Sequence, residues 1–164
     1  MPALAVGDVA PPFTAVLQDG SRFDSASVVG KKTVVLVHEP TGMSAEASER
    51  RSQQENRVVA IRRLRLALAL GHRSRALSAP SPLWRSRVRG GRLVIATTHD
   101  DYPALVAEAL DQLAARGLEM PPTAVALGVT PSQLAGLFRK EPQAWVMLNR
   151  LRTAAGLPTL RARP

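Results

Sequence analysis

Val34-Val35-Leu36-Val37-His38-Glu39-Pro40-Thr41-Gly42 opens a stretch that closes with Arg50-Arg51-Ser52-Gln53-Gln54-Glu55-Asn56-Arg57-Val58-Val59-Ala60-Ile61-Arg62-Arg63-Leu64-Arg65. The Val-rich run Thr33–Val37 predicts a strand, apolar on both faces as in the interior of a sheet. Pro40 and Gly42 break it with a turn. Ser52 followed three residues later by Glu55 is the pattern of a capping box, in which each residue satisfies a free donor of the other at a helix start. The helix that follows sets Val58, Ile61, Leu64 and Leu68 along one face, turns Arg62 and Arg65 away, and stops at Gly71. A strand, a turn and a capped basic helix make this an α+β chain.

Working outward, residues 13–23 read as a β-hairpin, with Phe13 to Leu17 and Ser21 to Phe23 joined by Asp19-Gly20, a pair that accepts the positive φ of a tight turn. Residues 72–92 hold Pro80, Pro82, Gly90 and Gly91 among arginines and read as a basic linker. Trp84 within it either stacks on a base or anchors the loop on the core, and anchoring is the favoured reading. The remainder is helical: Tyr102–Arg116 with Asp100 or Asp101 as its cap, Thr123–Leu127, Pro131–Lys140 behind the cap Thr130, and Gln143–Ala155. Residues 123–140 have the outline of a helix-turn-helix, but Leu134, Leu137 and Phe138 suit packing better than DNA reading; Ser132, Gln133, Arg139 and Lys140 are its few reading candidates. The chain thus divides into an N-terminal segment (1–33), the strand and basic helix (34–71), a basic linker and strand (72–99) and a helical region (100–164). The whole reads as a small hairpin and strand unit packed on a long basic helix, followed by an all-α part.

Composition narrows the chemistry. Aromatic residues are only 4%, so the core falls to Ala, Leu and Val. There is no cysteine, which removes disulfides, thiolate nucleophiles and cysteine metal sites. Three scattered histidines make a zinc site an unfavourable reading. No apolar run reaches the roughly 20 residues of a membrane span, and the N-terminus lacks the pattern of a signal peptide, so the expected compartment is the cytoplasm. The net charge of +9 is uneven: residues 1–40 carry −1, while Arg50 to Arg92 hold twelve arginines against the one acid Glu55. Such a field repels itself unless a polyanion neutralises it, and the guanidinium fork suits phosphates and exposed bases. The expected RNA contacts are Arg50, Arg51, Arg57, Arg62, Arg63, Arg65, Arg85, Arg87 and Arg89.

The run from Val34 to Leu68 resembles the catalytic domain of bacterial class I peptide chain release factors, in the part that follows the catalytic loop. The resemblance is carried by the strand, by His38-Glu39-Pro40-Thr41-Gly42, by Arg51-Ser52-Gln53 and by Asn56-Arg57. Leu83-Trp84-Arg85-Ser86-Arg87 and the helical tail look similar to short members without stop-codon-reading domains. The resemblance implies a ribosomal RNA partner and no cofactor. It assigns His38, Thr41, Ser52, Gln53, Asn56 and Arg57 to the face that packs behind the catalytic loop or touches the RNA.

The family hydrolyses the ester of peptidyl-tRNA with a Gly-Gly-Gln loop, whose glycines allow a backbone that other residues resist and whose glutamine amide meets the oxyanion. Counting back from the strand, that loop falls at Phe23-Asp24-Ser25, and the Asn-Lys pair after it falls near Val28-Val29, so hydrolysis is not expected.

Residues 1–37 instead resemble the start of peroxiredoxins, through Gly7-Asp8-Val9-Ala10-Pro11-Pro12-Phe13, Asp19-Gly20 and Gly30-Lys31-Lys32-Thr33-Val34-Val35-Leu36. Without the peroxidatic cysteine, peroxide reduction is excluded. The change of resemblance near Thr33–Val37 points to a chimera. The leading expectation is a ribosome-associated factor of the termination or rescue type. The alternatives are a non-catalytic interaction module with a thioredoxin-like N-terminus and, third, a DNA-binding protein.

Overall fold

The computed structural model describes residues 14–16, 22–24 and 33–161. Their elements run β1 (Thr14–Val16), β2 (Arg22–Asp24), β3 (Val34–His38), β4 (Met43–Ala47), α1 (Gln53–Gly71), α2 (Pro82–Arg87), β5 (Val88–Arg89), β6 (Arg92–Leu93), α3 (Tyr102–Ala114), α4 (Met120–Ala126), α5 (Pro131–Arg139) and α6 (Pro142–Ala154). The α+β class is the one expected: three two-stranded antiparallel sheets precede an all-α C-terminal part. β1 pairs with β2 from Thr14↔Asp24 to Val16↔Arg22, in keeping with the expected first hairpin. Its Asp19-Gly20 turn, Gly7–Phe13, Ser25, Val28-Val29 and Gly30-Lys31-Lys32 lie outside the described residues.

β3 and β4 form the hairpin beside α1, in register from Val34↔Ala47 to His38↔Met43. The amides of Thr41 and Gly42 both donate to the His38 carbonyl, at 3.1 and 2.8 Å, and close the turn. β3 departs from the expected sheet interior. Among the described residues it pairs with β4 alone, and Val35 and Val37 are 59% and 57% exposed while Val34, Leu36 and His38 are half-buried. A lone hairpin lying on a helix has one covered face, so a doubly apolar strand leaves half its side chains outside.

α1 begins as its capping box requires: the Glu55 amide donates to Ser52 Oγ at 3.1 Å, and the Ser52 amide to Glu55 Oε2 at 3.2 Å. Its burial does not follow the single stripe expected. Val58 is 63% exposed, whereas the buried positions are Asn56, Ala60 and Ala69. Ala60 and Ala69 are nine residues apart, two and a half turns, and so lie on opposite sides of the helix. One side carries Ala60 and Asn56 against the hairpin, where Ala47 is also fully buried. The other brings Ala69 into the helical core with α3. A helix packed on two sides has no single apolar face. Gly71 ends α1 as expected, but by a different route: it is helical, and a Cβ there would lie 2.0 Å from Met43 Cε. The glycine makes room for the methionine tip.

The stretch 72–92 is not a linker. Ser81 Oγ accepts from the Trp84 amide at 2.9 Å and Pro82 occupies the first position of α2, so the proline that opposes a helix interior here starts a helix. Gly90 and Gly91, at φ +54° and +70°, turn the chain between β5 and β6, a geometry other residues resist. Trp84 is fully buried and is an anchor, as favoured.

The core is shared by Trp84, Tyr102, Leu110, Leu134, Phe138 and Leu148 from α2, α3, α5 and α6, with Met120 and Ala124 of α4 packed against them. Thr130 caps α5 by accepting from the Gln133 amide at 3.2 Å. Asp101 stands at the cap position of α3 but makes no capping bond, because its carboxylate is held by Arg87. The Tyr102 hydroxyl donates to the Leu137 carbonyl at 2.7 Å, and burial raises the phenol well above its ordinary pKa, helped by Glu141 and opposed by Arg62. Arg152, buried in α6, donates to the carbonyls of Leu118 and Pro158 and so holds Leu118, whose φ is +62°.

Candidate nucleic-acid interface

Three segments carry the arginines of the 50–92 run: the head of α1, its outer flank, and the stretch from Arg73 to the β5–β6 turn. At the head, Asn56 is fully buried and clamps the backbone of Arg50, accepting from its amide at 2.9 Å and donating to its carbonyl at 3.1 Å. This clamp and the capping box fix residues 50–52, leaving Arg50, Arg51, Gln53 and Arg57 exposed. Two expected RNA contacts are therefore reassigned. Asn56 is sealed from solvent, and the Ser52 hydroxyl is engaged with Glu55. His38 and Thr41 likewise face each other, Nδ1 to Oγ1 at 2.9 Å, within the hairpin turn.

The flank of α1 is less bare than its sequence suggests. Arg63 grips both carboxylate oxygens of Glu49, at 2.7 and 3.2 Å, and the Glu46 carbonyl at 2.7 Å. The Glu49 carboxyl sits below its ordinary pKa, chiefly through hydrogen bonding from its own backbone, with Ser48 and Arg63 adding to the effect. Arg62 donates to the Thr97 carbonyl at 3.1 Å, and Arg65 approaches Asp100 at 3.7 Å. Together with Val58 and Leu66 these residues line a groove of about 630 Å³ that also meets Arg50 and Glu141.

In the third segment, Arg87 is half-buried against Asp101 at 3.0 Å, with His99 beside it, and Arg85 donates to the Pro80 carbonyl at 2.8 Å. Arg73 is paired with Asp111 at 3.1 Å, and burial lowers its guanidinium pKa from the ordinary value. Arg89 and Arg92 flank the Gly90-Gly91 turn, both exposed.

The arginine field therefore sorts into two groups. The guanidiniums of Arg62, Arg63, Arg65, Arg73, Arg85 and Arg87 have partners, of which those of Arg62 and Arg85 are backbone carbonyls and the other four include carboxylates outside the Arg50–Arg92 window. Arg50, Arg51, Arg57, Arg75, Arg89 and Arg92 are exposed, and their side chains have no partner among the described residues. Arg92 was not among the expected contacts, and its signal was the same run of arginines. Two of the four helix-turn-helix candidates are spent differently, Gln133 accepting from the Leu93 amide at 2.8 Å and Lys140 donating to the Ile95 carbonyl at 2.9 Å, while Ser132 and Arg139 stay exposed. Both brace the segment around β6.

Among the described residues no cluster of three metal-ligating side chains occurs, and no helix is long and apolar enough to cross a membrane. No family model, no curated protein and no solved structure matches the chain.

Proposed function

We propose that this chain binds ribosomal RNA as a release-factor-like accessory or rescue factor and does not hydrolyse peptidyl-tRNA. The observation that carries the reading is the set of unpartnered, exposed guanidiniums at the head of α1 (Arg50, Arg51, Arg57) and at the β5–β6 turn (Arg89, Arg92). An unpaired guanidinium gives its full charge and its fork of donors to a phosphate. The same residues at the head of α1 belong to the stretch that resembles release factors, which points to the ribosome rather than to another polyanion, and with it to the cytoplasm.

The absence of hydrolysis is supported by Phe23 and Asp24, which lie in β2 where the resemblance calls for glycines of the catalytic loop. Strand residues with side chains do not supply that loop's backbone. Co-sedimentation with ribosomes at about 50 and about 200 mM salt tests the binding: for six to ten phosphate contacts affinity falls by roughly 10³–10⁵. Absence of pelleting at the lower salt defeats the reading. A release assay with turnover above background defeats its second half.

A second reading, an interaction module without RNA, is favoured by the exposed Val35 and Val37 on the outer face of the hairpin. A protein partner retained at high salt and lost in Val35→Ser/Val37→Ser supports it.

A further inference from the structure

Arg65 and Asp100 line the groove on the flank of α1 and also a second hollow, an open cleft of about 780 Å³ bounded by the hairpin turn, the C-terminal half of α1 and the start of α3. The two hollows share this pair as a common wall. The cleft has an apolar floor, with Leu68, Pro103, Ala104 and Ala107, and polar groups at its rim, with His38 and His72. A floor of small and flat apolar groups suits the face of an aromatic ring, and a polar rim suits its edge.

The acidic groups of the rim differ from one another. Asp101 and Asp111 are held by Arg87 and Arg73. Asp100 is 86% exposed in its side chain, and its approach to Arg65, at 3.7 Å, is longer than a hydrogen bond. Its carboxylate keeps lone pairs for further donors. Two parallel N–H groups answer a carboxylate best, and of the four bases only guanine presents them side by side, as N1–H and the exocyclic amine.

We propose that this cleft receives an unstacked guanine of a single-stranded RNA whose phosphates are held by the free arginines at the head of α1, of which Arg50 lines the neighbouring groove, with Asp100 accepting from the guanine edge. The proposal rests on the RNA-binding reading above and adds a base preference to it. A strand in the groove passes the Arg65–Asp100 wall, so one nucleotide turned over that wall enters the cleft. A duplex keeps its bases stacked and reaches only the arginines.

Fluorescence anisotropy with the pentamers UUGUU, UUAUU, UUCUU and UUUUU, and with an RNA duplex, tests it on the full chain. The expected result is tighter binding of UUGUU by about tenfold or more, in the range of one bidentate base contact. Ala104→Trp fills the cleft from an exposed helix position and brings UUGUU to the level of UUUUU, leaving duplex affinity unchanged. Asp100→Asn, on the loop before α3, removes the preference for guanine without filling the cleft, and keeps the test decisive if the tryptophan disturbs the helix. Equal affinity for the four pentamers, or a guanine preference untouched by both variants, overturns the cleft assignment. If Arg51→Ala/Arg57→Ala still weakens all RNAs in that case, the RNA-binding reading stands without it. If neither pentamers nor duplex bind at low salt, both readings fall.

Discussion

The indole Nε1 of Trp84 donates to the carbonyl oxygen of Leu127 at 2.8 Å, joining the basic stretch between α1 and α3 to the end of α4. Both residues are buried, so the bond is shielded from water and its loss leaves a polar group unpaired. Trp84→Ala is expected to cost about 3–5 kcal/mol through the cavity alone. Trp84→Phe keeps most of the volume but orphans the carbonyl, at about 1–3 kcal/mol. Chemical denaturation of both variants checks this. If Trp84→Ala is as stable as the wild type while RNA binding is lost, the tryptophan is a base-stacking residue after all.

Asn56 has the opposite profile from the arginines around it. Its side chain holds the Arg50 backbone, so Asn56→Ala is expected to lower stability by about 1–3 kcal/mol, because it orphans the part-buried amide and carbonyl of Arg50. RNA affinity changes only as far as Arg50 and Arg51 lose their placement. Thermal melting alongside an RNA titration separates the effects. Unchanged melting with a large loss of affinity contradicts the buried role.

Partnered and unpartnered arginines should respond differently. Arg51→Ala/Arg57→Ala and Arg89→Ala/Arg92→Ala each remove two free charges. Each pair is expected to weaken RNA binding and to flatten the plot of log affinity against log salt by about 0.7 per arginine on single strands. Arg63→Ala removes an exposed ion pair worth at most about 1 kcal/mol and leaves the salt slope nearly unchanged. Titrations at several salt concentrations decide the matter, and a slope change for Arg63→Ala as large as for Arg57→Ala refutes the division.

Tyr102 makes stability sensitive to alkali. Its folded pKa is raised above the ordinary value of 10.0, mainly by burial, so the folded state holds the phenolic proton more tightly than the unfolded chain. That contribution is complete below about pH 10 and is lost as pH climbs from there towards the folded value. Tyr102→Phe is expected to be less stable at neutral pH, by about 1–3 kcal/mol for the orphaned Leu137 carbonyl, and to lose the alkaline decline. Denaturant midpoints measured from pH 8 upward check it. A decline of the same size in the phenylalanine variant assigns the effect to another group.

Sequence alone determined the features whose causes lie within a few residues: the Ser52–Glu55 capping box, the Thr130 cap with Pro131 behind it, the turn at 39–42 and the α+β class. Each depends on hydrogen bonds or φ preferences that neighbouring residues supply themselves. Tertiary structure decided what depends on remote partners. The arginine run looked unopposed because its counter-charges, Glu49, Asp100, Asp101 and Asp111, lie outside it and come close only when α3 and the hairpin pack on α1. α1 lost its single apolar stripe because it is covered from two sides, and β3 gained an exposed face because one helix covers only one side of a hairpin. The candidate cleft has no sequence signature, since its walls come from residues 38–41, 65–74 and 100–111. Local chemistry is written along the chain, whereas charge neutralisation and the shape of a cleft depend on which distant segments meet.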